Sequence, residues 1–460
     1  MSHTKRAYSV FSRGLAAGVA LGALLIGAPA YAQDQTDSED SGDGIREIVV
    51  TAQFRAQNLQ DTPLAITAIG SDAMEARGQT NLADVVKQAP NVILLPTTGA
   101  FGPSITASIR GLGQQDFNPA LEPGVGLYID DVYYPRLTGA NFDLLDVERV
   151  EVLRGPQGTL TGRNSLGGAI RFVSRKPTGD GTGYVAATYG SRNRVNLRAS
   201  ADFTVAKDLF ARVSGTLSDQ GGYVDRVDFG CANPTGGVPA GTRTNDNCVQ
   251  GKLGDVSYRA IRGMLRYAPG DVVDLTVTAD YVRDQRNQAP EVLLFANNPS
   301  PAVRLPGSTV PYDSRFICGP RCNYSTYSQP ADSFRGPVAA GFPLARVEGD
   351  DKVNYEGWGA SANLILNLSD TINITSISAY REWDTSFTVD SDLSPLPIGL
   401  GLNDLSHWFV SQELRLNAEL TSNIDLTLGA FYSDERTTYF TFQDIRYAPI
   451  PLQFIGNDPV

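Results

Sequence analysis

The chain has 460 residues, 42% of them hydrophobic and 19% charged, which is too apolar for a disordered protein and long enough for more than one domain. Its formal net charge of −12 argues against a nucleic-acid binder. After the N-terminus no stretch has the run of about 20 apolar residues that a transmembrane helix needs, so strands are the remaining way into a membrane.

Lys5, Arg6 and Arg13 form a basic segment, and Leu15 to Ile26 an apolar one too short to span a bilayer. Ala30-Tyr31-Ala32 then makes an A-x-A cleavage site. That order predicts a signal peptide over residues 1–32 and export from the cytoplasm. Its removal takes away three basic residues and no acidic ones, so the mature chain is more acidic still. Residues 33–46 are acidic and polar and read as a disordered leader. A short β-prone run follows, Glu47-Ile48-Val49-Val50-Thr51-Ala52.

Residues 53–178 read as a compact α+β region. Thr80 or Asn81 can cap a short helix over 82–89, with Leu82, Val85, Val86 and Ala89 on its apolar face. Pro90 stops it. From residue 183 the period changes to two. Val195, Leu197, Ala199, Ala201 and Phe203 alternate with Asn196, Arg198, Ser200 and Asp202; the segments 274–281 and 424–430 do likewise. Such strands have one apolar and one polar face. Short turns near 206–208, 268–271, 369–370 and 422–423 alternate with long segments near 220–255, 285–351 and 385–405. Sorted loops of this kind predict a transmembrane antiparallel β-barrel with lipid outside and a polar lumen, and about ten strands by this count.

Cys231 and Cys248 share one polar, Gly/Pro-rich segment, and Cys318 and Cys322 another. Export permits disulfides, and pairing within each segment is expected. A C-x3-C zinc pair at 318 and 322 is the competing reading; it lacks histidine partners, since only His407 remains after the leader is removed. No cofactor is expected.

Residues 47–78 and 80–111, the latter ending Ile109-Arg110-Gly111, resemble the start of a TonB-dependent outer-membrane receptor. So do PGVGLYIDDVYYPR (123–136) and FDLLDVERVEVLRGPQGTLTGRNSLGGAIRFVSRKP (142–177). The spacing of Gly155, Pro156 and Gly158, then Gly162, Arg163 and Asn164, then Gly167 and Gly168 is similar to the family's end-of-plug motif, with Thr161 where tyrosine is expected. Ser411 to Leu416 resembles a barrel strand of the family. The resemblance implies an α+β plug domain inside a barrel, a TonB box at Glu47 to Ala52, TonB and outer-membrane lipid as partners, and no enzymatic activity. It also implies energy-coupled uptake of a scarce nutrient, a ferric siderophore first, with cobalamin, haem or oligosaccharide as alternatives.

Physically, a β-prone run behind a disordered leader can add to the sheet edge of a partner. The glycines of the plug motif lack the G-K-[ST] of a phosphate loop and suit close backbone packing. Arg110 and Arg154 are expected to pair with Glu413, whose neighbours Leu414 and Leu416 should face lipid, and so hold the plug by contacts that lock yet can be pulled apart. The competing reading is separate solvated charges. Asp130-Asp131 reads as a turn. The leader is too short for a folded signalling domain.

Barrels of the family have about 22 strands, and the chain ends in a turn-like stretch. A fragment or a non-functional truncated remnant is therefore an expectation alongside the receptor. The rivals from other classes are a secreted glycan-binding β-domain and an exported hydrolase. Neither explains the plug-like segment, and no nucleophile motif supports the hydrolase.

Overall fold

A computed structural model describes residues 49–50, 57–60, 62–79, 82–96, 102–114, 118, 120–139, 146–235, 247–295, 317, 324–325, 352–390, 393–395, 400–421 and 423–444. The expected signal peptide, the leader, most of the expected box, Cys318 and Cys322 lie outside the described residues.

The first 130 or so residues after the leader fold as an α+β unit. Strand β1 (Val49–Val50) pairs with β2 (Gln57–Asn58). There follow β3 (Ile66–Gly70), α1 (Ser71–Ala76), α2 (Leu82–Val86), β4 (Val92–Pro96), β5 (Ile105–Ile109) and β6 (Leu112–Gln114). Then come β7 (Val125–Ile129), β8 (Val132–Tyr134), β9 (Val147–Arg154), α3 (Gly158–Thr161) and β10 (Gly168–Ser174). The main sheet has the order β3-β9-β10-β7-β8, and a smaller one the order β4-β5-β6. β10 is central, so its Ala-Ile-Arg-Phe run is buried on both faces, as a near-continuous apolar strand requires. The helix expected over 82–89 ends at Val86, and Val85, Val86 and Ala89 are buried as its apolar face predicted.

The second unit of secondary structure is a wall: β11 (Gly183–Gly190), β12 (Arg194–Ala206) and β13 (Leu209–Gln220), then β14 (Val224–Val227), α4 (Phe229–Ala232), β15 (Val249–Leu253), β16 (Val256–Tyr267), β17 (Val273–Asn287), β18 (Tyr324–Ser325), β19 (Lys352–Ser369), β20 (Ile372–Asp390), β21 (Leu400–Thr421) and β22 (Ile424–Asp444). Nine of these form one antiparallel sheet in chain order, β11-β12-β13-β16-β17-β19-β20-β21-β22. About ten wall strands were expected and nine are present among the described residues, while β14, β15 and β18, in segments read as loops, form their own three-stranded sheet. Strands of 18 to 22 residues exceed the 9–11 or so that cross a bilayer, so the later strands rise beyond it.

Polarity in the wall is inside out. Leu265 and Leu414 are about half exposed while Asp202, Ser214, Thr276, Asn417 and their like are buried. A water-soluble sheet would hide the leucines; a lipid-facing one shows them and turns polar side chains inward. Glu413, Arg415 and Asn417 accordingly face inward and Leu414 outward. The short turns fall at one end, between β12 and β13, β16 and β17, β19 and β20, and β21 and β22, as the loop lengths predicted. One short turn, at Ser191–Asn193, lies at the other end. Arg192 and Asn193 both take left-handed backbone there (φ 62° and 54°), which closes the first hairpin tightly.

Candidate functional site

The α+β unit is a plug, seated on the polar face of the wall, and the seat is made by wall arginines. At β13, Arg212 donates to Asp146 (Nη2–Oδ1 3.0 Å) and to Asp202 (3.1 Å), while Ser200 Oγ donates to Asp146 at 2.7 Å. Asp202 also accepts from the backbone of Thr178 at 3.1 Å and of Gly179 at 2.5 Å. This ties the exit of the plug to the first hairpin of the wall. At β16, Arg262 donates to Ser174 Oγ at 2.6 Å, and that hydroxyl donates to Asp130 at 2.8 Å. At β20, Arg381 grips Asp280 through two bonds of 3.0 and 2.7 Å and lies over the Tyr134 ring, 4.5 Å from its centre. The fork geometry of guanidinium and carboxylate makes such pairs directional.

At β21 the seat becomes a chain of alternating charge. Glu148 accepts from Arg149 at 2.8 Å, Arg149 also donates to Glu151 at 2.8 Å, and Glu151 accepts from Arg171 at 3.4 Å. Arg171 pairs with Asp131, Asp131 lies 3.5 Å from Arg415, and Arg415 donates to Glu413 at 2.5 Å. Glu151 is fully buried, and a charge there persists only because it is paired. Burial pushes the Asp131 carboxyl up, but the Arg171 and Arg415 guanidiniums outweigh that and hold it at about 2. Burial also lifts the plug phenol Tyr128 to about 12, so it stays protonated and donates to the Thr161 carbonyl at 3.2 Å.

Apolar contacts complete the interface. Val50, Tyr128, Tyr133, Leu153 and Ala169 of the plug cluster with Phe409 of the wall, with Tyr133 edge-on to Phe409. A Cβ at Gly139, which has φ +72°, would overlap the Tyr355 ring. At the long-loop end, Glu435 pairs with Arg136 at 3.2 Å and Arg163 at 3.3 Å, and Arg163 reaches Glu122 at 3.2 Å.

The expected contact of Arg110 and Arg154 with Glu413 is corrected: Glu413 is taken by Arg415. Arg110 sits in the β5–β6 turn at φ 54°, followed by Gly111, with its guanidinium against Gly155. Arg154 ends β9 with its Nε buried and without a partner among the described residues. Neither makes an ion pair with a described carboxylate. The plug face that meets β21 is the β7–β8 turn, where Asp130 and Asp131 take left-handed backbone (φ 50° and 68°). That turn was legible as a turn; its partners on the wall were not.

The end-of-plug motif is structural. Gly155 bonds to Gly167 and Gly167 to Gly124, each at 2.9 Å. At Gly168 (φ +143°) an added Cβ would fall on the Leu153 carbonyl. Pro156 leads into α3, which starts at Gly158 and is closed by Gly162, and Asn164 donates to Tyr133 at 2.7 Å. Of the expected box, Val49 and Val50 are described, in β1, with Val50 buried. Cys231 and Cys248 are disulfide-bonded, with Cα atoms 5.5 Å apart. Among the described residues no cluster could hold a metal ion.

A plug clasped to the polar face of an inside-out β wall defines the class of a plugged transmembrane barrel. Residues 58–169 match the family described as TonB-dependent Receptor Plug Domain, and this part of the chain belongs to it. It is 31% identical over 256 residues to an iron-regulated outer membrane virulence protein of Vibrio cholerae, covering 53% of this chain and 34% of that one. It is 27% identical over 200 residues to the ferripyoverdine receptor of Pseudomonas aeruginosa, covering 42% of this chain and 23% of that one. The ferric yersiniabactin uptake receptor of Yersinia pestis shares the fold, with a TM-score of 0.62 and 19% identity over 83% of this chain and 50% of that one. The chain thus spans about a third of the length of the first of these curated relatives.

Proposed function

We propose that this protein serves TonB-coupled uptake of a ferric siderophore across the outer membrane of a Gram-negative cell, after export by its signal peptide. The observation that carries the reading is the Asp131–Arg415 contact, which seats a plug turn on the inner wall through an ion pair. Contacts of that kind hold against thermal motion yet separate without breaking a covalent bond. The names of the relatives favour iron complexes over cobalamin, haem or oligosaccharide. In this reading Glu47 to Ala52 is the segment that TonB takes up by strand addition. The protein then acts as a receptor and not an enzyme.

The test uses iron-starved cells offered a panel of radio-iron siderophore complexes. Deleting the gene should abolish accumulation of at least one complex. Ile48→Pro should abolish accumulation while leaving surface binding intact, because proline cannot donate to a strand pair. Accumulation of every complex unchanged by gene deletion would overturn the reading.

A further inference from the structure

On the outward face of the wall, apolar positions give way to charge along a sharp line. A tilted strand crosses a bilayer in about 9–11 residues, and Arg259 to Tyr267 on β16 and Leu275 to Arg283 on β17 are each of that length. Register pairs their ends: Tyr267 lies across from Leu275, and Arg259 across from Arg283. The first pair stands beside the short turn that joins the two strands. The second lies toward the long-loop end, which in a membrane barrel is the outer surface. Between the ends the outward positions are Ile261, Gly263, Leu265, Val277, Ala279 and Tyr281. Tyr281 and its cross-strand partner Trp358 sit just inside the arginines, where aromatic girdles mark the lipid interface.

Arg259 and Arg283 are both exposed. Cross-strand partners have Cβ atoms about 5 Å apart, and like charges so placed repel, the more so beside lipid of low dielectric. Glu356 is the outward carboxylate across from Arg283, but it accepts from the Tyr281 hydroxyl at 2.8 Å. Asp219 lies across from Ser257, one outward position beyond Arg259. Among the described residues neither arginine makes an ion pair. Two guanidinium forks side by side match a phosphate. On the short-turn side of the pair, Gly263 faces Ala279, and a Cβ added at Gly263 would meet nothing within 4 Å. These two small residues, flanked by Ile261, Leu265 and Val277, leave a shallow apolar furrow that runs from the arginines into the lipid zone.

We propose that Arg259 and Arg283 together bind one phosphate of a phosphorylated glycolipid of the outer leaflet, with an acyl chain laid along Gly263 and Ala279. The proposal rests on placement in the outer membrane and deepens that reading by assigning one lipid class to one site. The phosphate neutralises the repelling pair, and the furrow adds apolar contact that a free anion lacks.

The test uses the full chain, extracted from outer membranes in mild detergent. Native mass spectrometry measures binding of lipid A with both phosphates, of the same glycolipid after dephosphorylation, and competition by inorganic phosphate. Dephosphorylation should weaken binding on the order of tenfold, and so should Arg259→Gln with Arg283→Gln. Arg259→Lys with Arg283→Lys keeps the charge and should retain most of the binding, while Lys207→Gln, in a short turn, should change nothing. Binding that ignores the phosphates, or that is unchanged in the double glutamine variant, would overturn the proposal. Inorganic phosphate that competes as well as lipid A would reduce the pair to a simple anion site and overturn it too. A chain absent from the outer-membrane fraction would sink the membrane reading itself, whereas a chain recovered there whose binding ignores the arginines sinks this proposal alone.

Discussion

Asp131 Oδ2 and Arg415 Nη1 meet 3.5 Å apart across the plug–wall boundary, where a two-residue turn of the plug touches the inner face of β21. Arg415 is 7% and Asp131 26% exposed at the side chain, so solvent screens the contact only in part. Arg415→Met leaves Asp131 with Arg171 alone and Glu413 without its cation. It should destabilise plug seating by about 2 kcal/mol, the scale of a hydrogen bond to a charged group. The double variant Arg415→Met with Asp131→Asn should cost less than the sum of the two single changes. Protease susceptibility of β7 and β8 in denaturant reads the difference, and strict additivity would show that the two residues act apart.

The same carboxylate predicts a pH window. The folded Asp131 sits at about 2 against an ordinary 3.8, because two guanidiniums outweigh the burial that pushes it up. A carboxyl whose folded value lies below its unfolded one contributes stability above the unfolded value and loses it as pH falls through the folded one. The contribution should be complete above about pH 5 and fade towards pH 2. The stability gap between the wild type and Asp131→Asn should therefore shrink between pH 5 and pH 2.5. Hydrogen exchange in the β7–β8 hairpin follows it, and a gap that stays constant would assign the effect of the variant to packing.

Much of the architecture was legible because period and punctuation are local. The alternation over 195–203 is the outward and inward sides of β12, and the turns near 206–208 and 369–370 are hairpin turns of the wall. The plug's end motif was legible because glycines with left-handed backbone leave a spaced trace. The clasp was not legible. Arg110 and Arg154 each precede a glycine in the plug, yet what faces Glu413 is decided by how the plug is rotated in the wall, a non-local fact. The signal available was the run Tyr128-Ile129-Asp130-Asp131-Val132: two adjacent carboxylates between strands that are apolar throughout point to cationic or hydrogen-bonding partners. The extra sheet of β14, β15 and β18 was hidden inside two segments, near 220–255 and 285–351, read only as long loops.

Close packing at the other end of the plug gives a steric prediction. Gly139 has φ +72°, and a side chain there would overlap the Tyr355 ring. Gly139→Ala should therefore loosen the plug through two separate penalties, strained backbone of about 1 kcal/mol and the clash. Adding Tyr355→Ala removes the clash and leaves the strain, so rescue should be partial. Thermal release of the plug measured by limited proteolysis should rank wild type above the double variant and the double variant above Gly139→Ala. Full rescue would show that the backbone at this position carries no strain.

The disulfide offers the last test, because it separates the loop from the wall. Cys231 and Cys248 close a segment with a sequence separation of 17, and loops of that size are stabilised by about 3 kcal/mol in the chain-entropy account. The base of the segment has supports of its own. Asp228 accepts from Cys231 N and from Gln250 Nε2, each at 2.9 Å, and its backbone N–H donates to the Cys248 carbonyl at 2.9 Å. β14 and β15 pair with each other outside the nine-stranded sheet. Cys231→Ser with Cys248→Ser should therefore open the stretch between α4 and β15 to protease while the wall keeps its melting temperature within a degree or two. Loss of the wall along with the loop would mean that the three-stranded sheet is part of one cooperative unit with β13 and β16, and that the disulfide supports the wall through it.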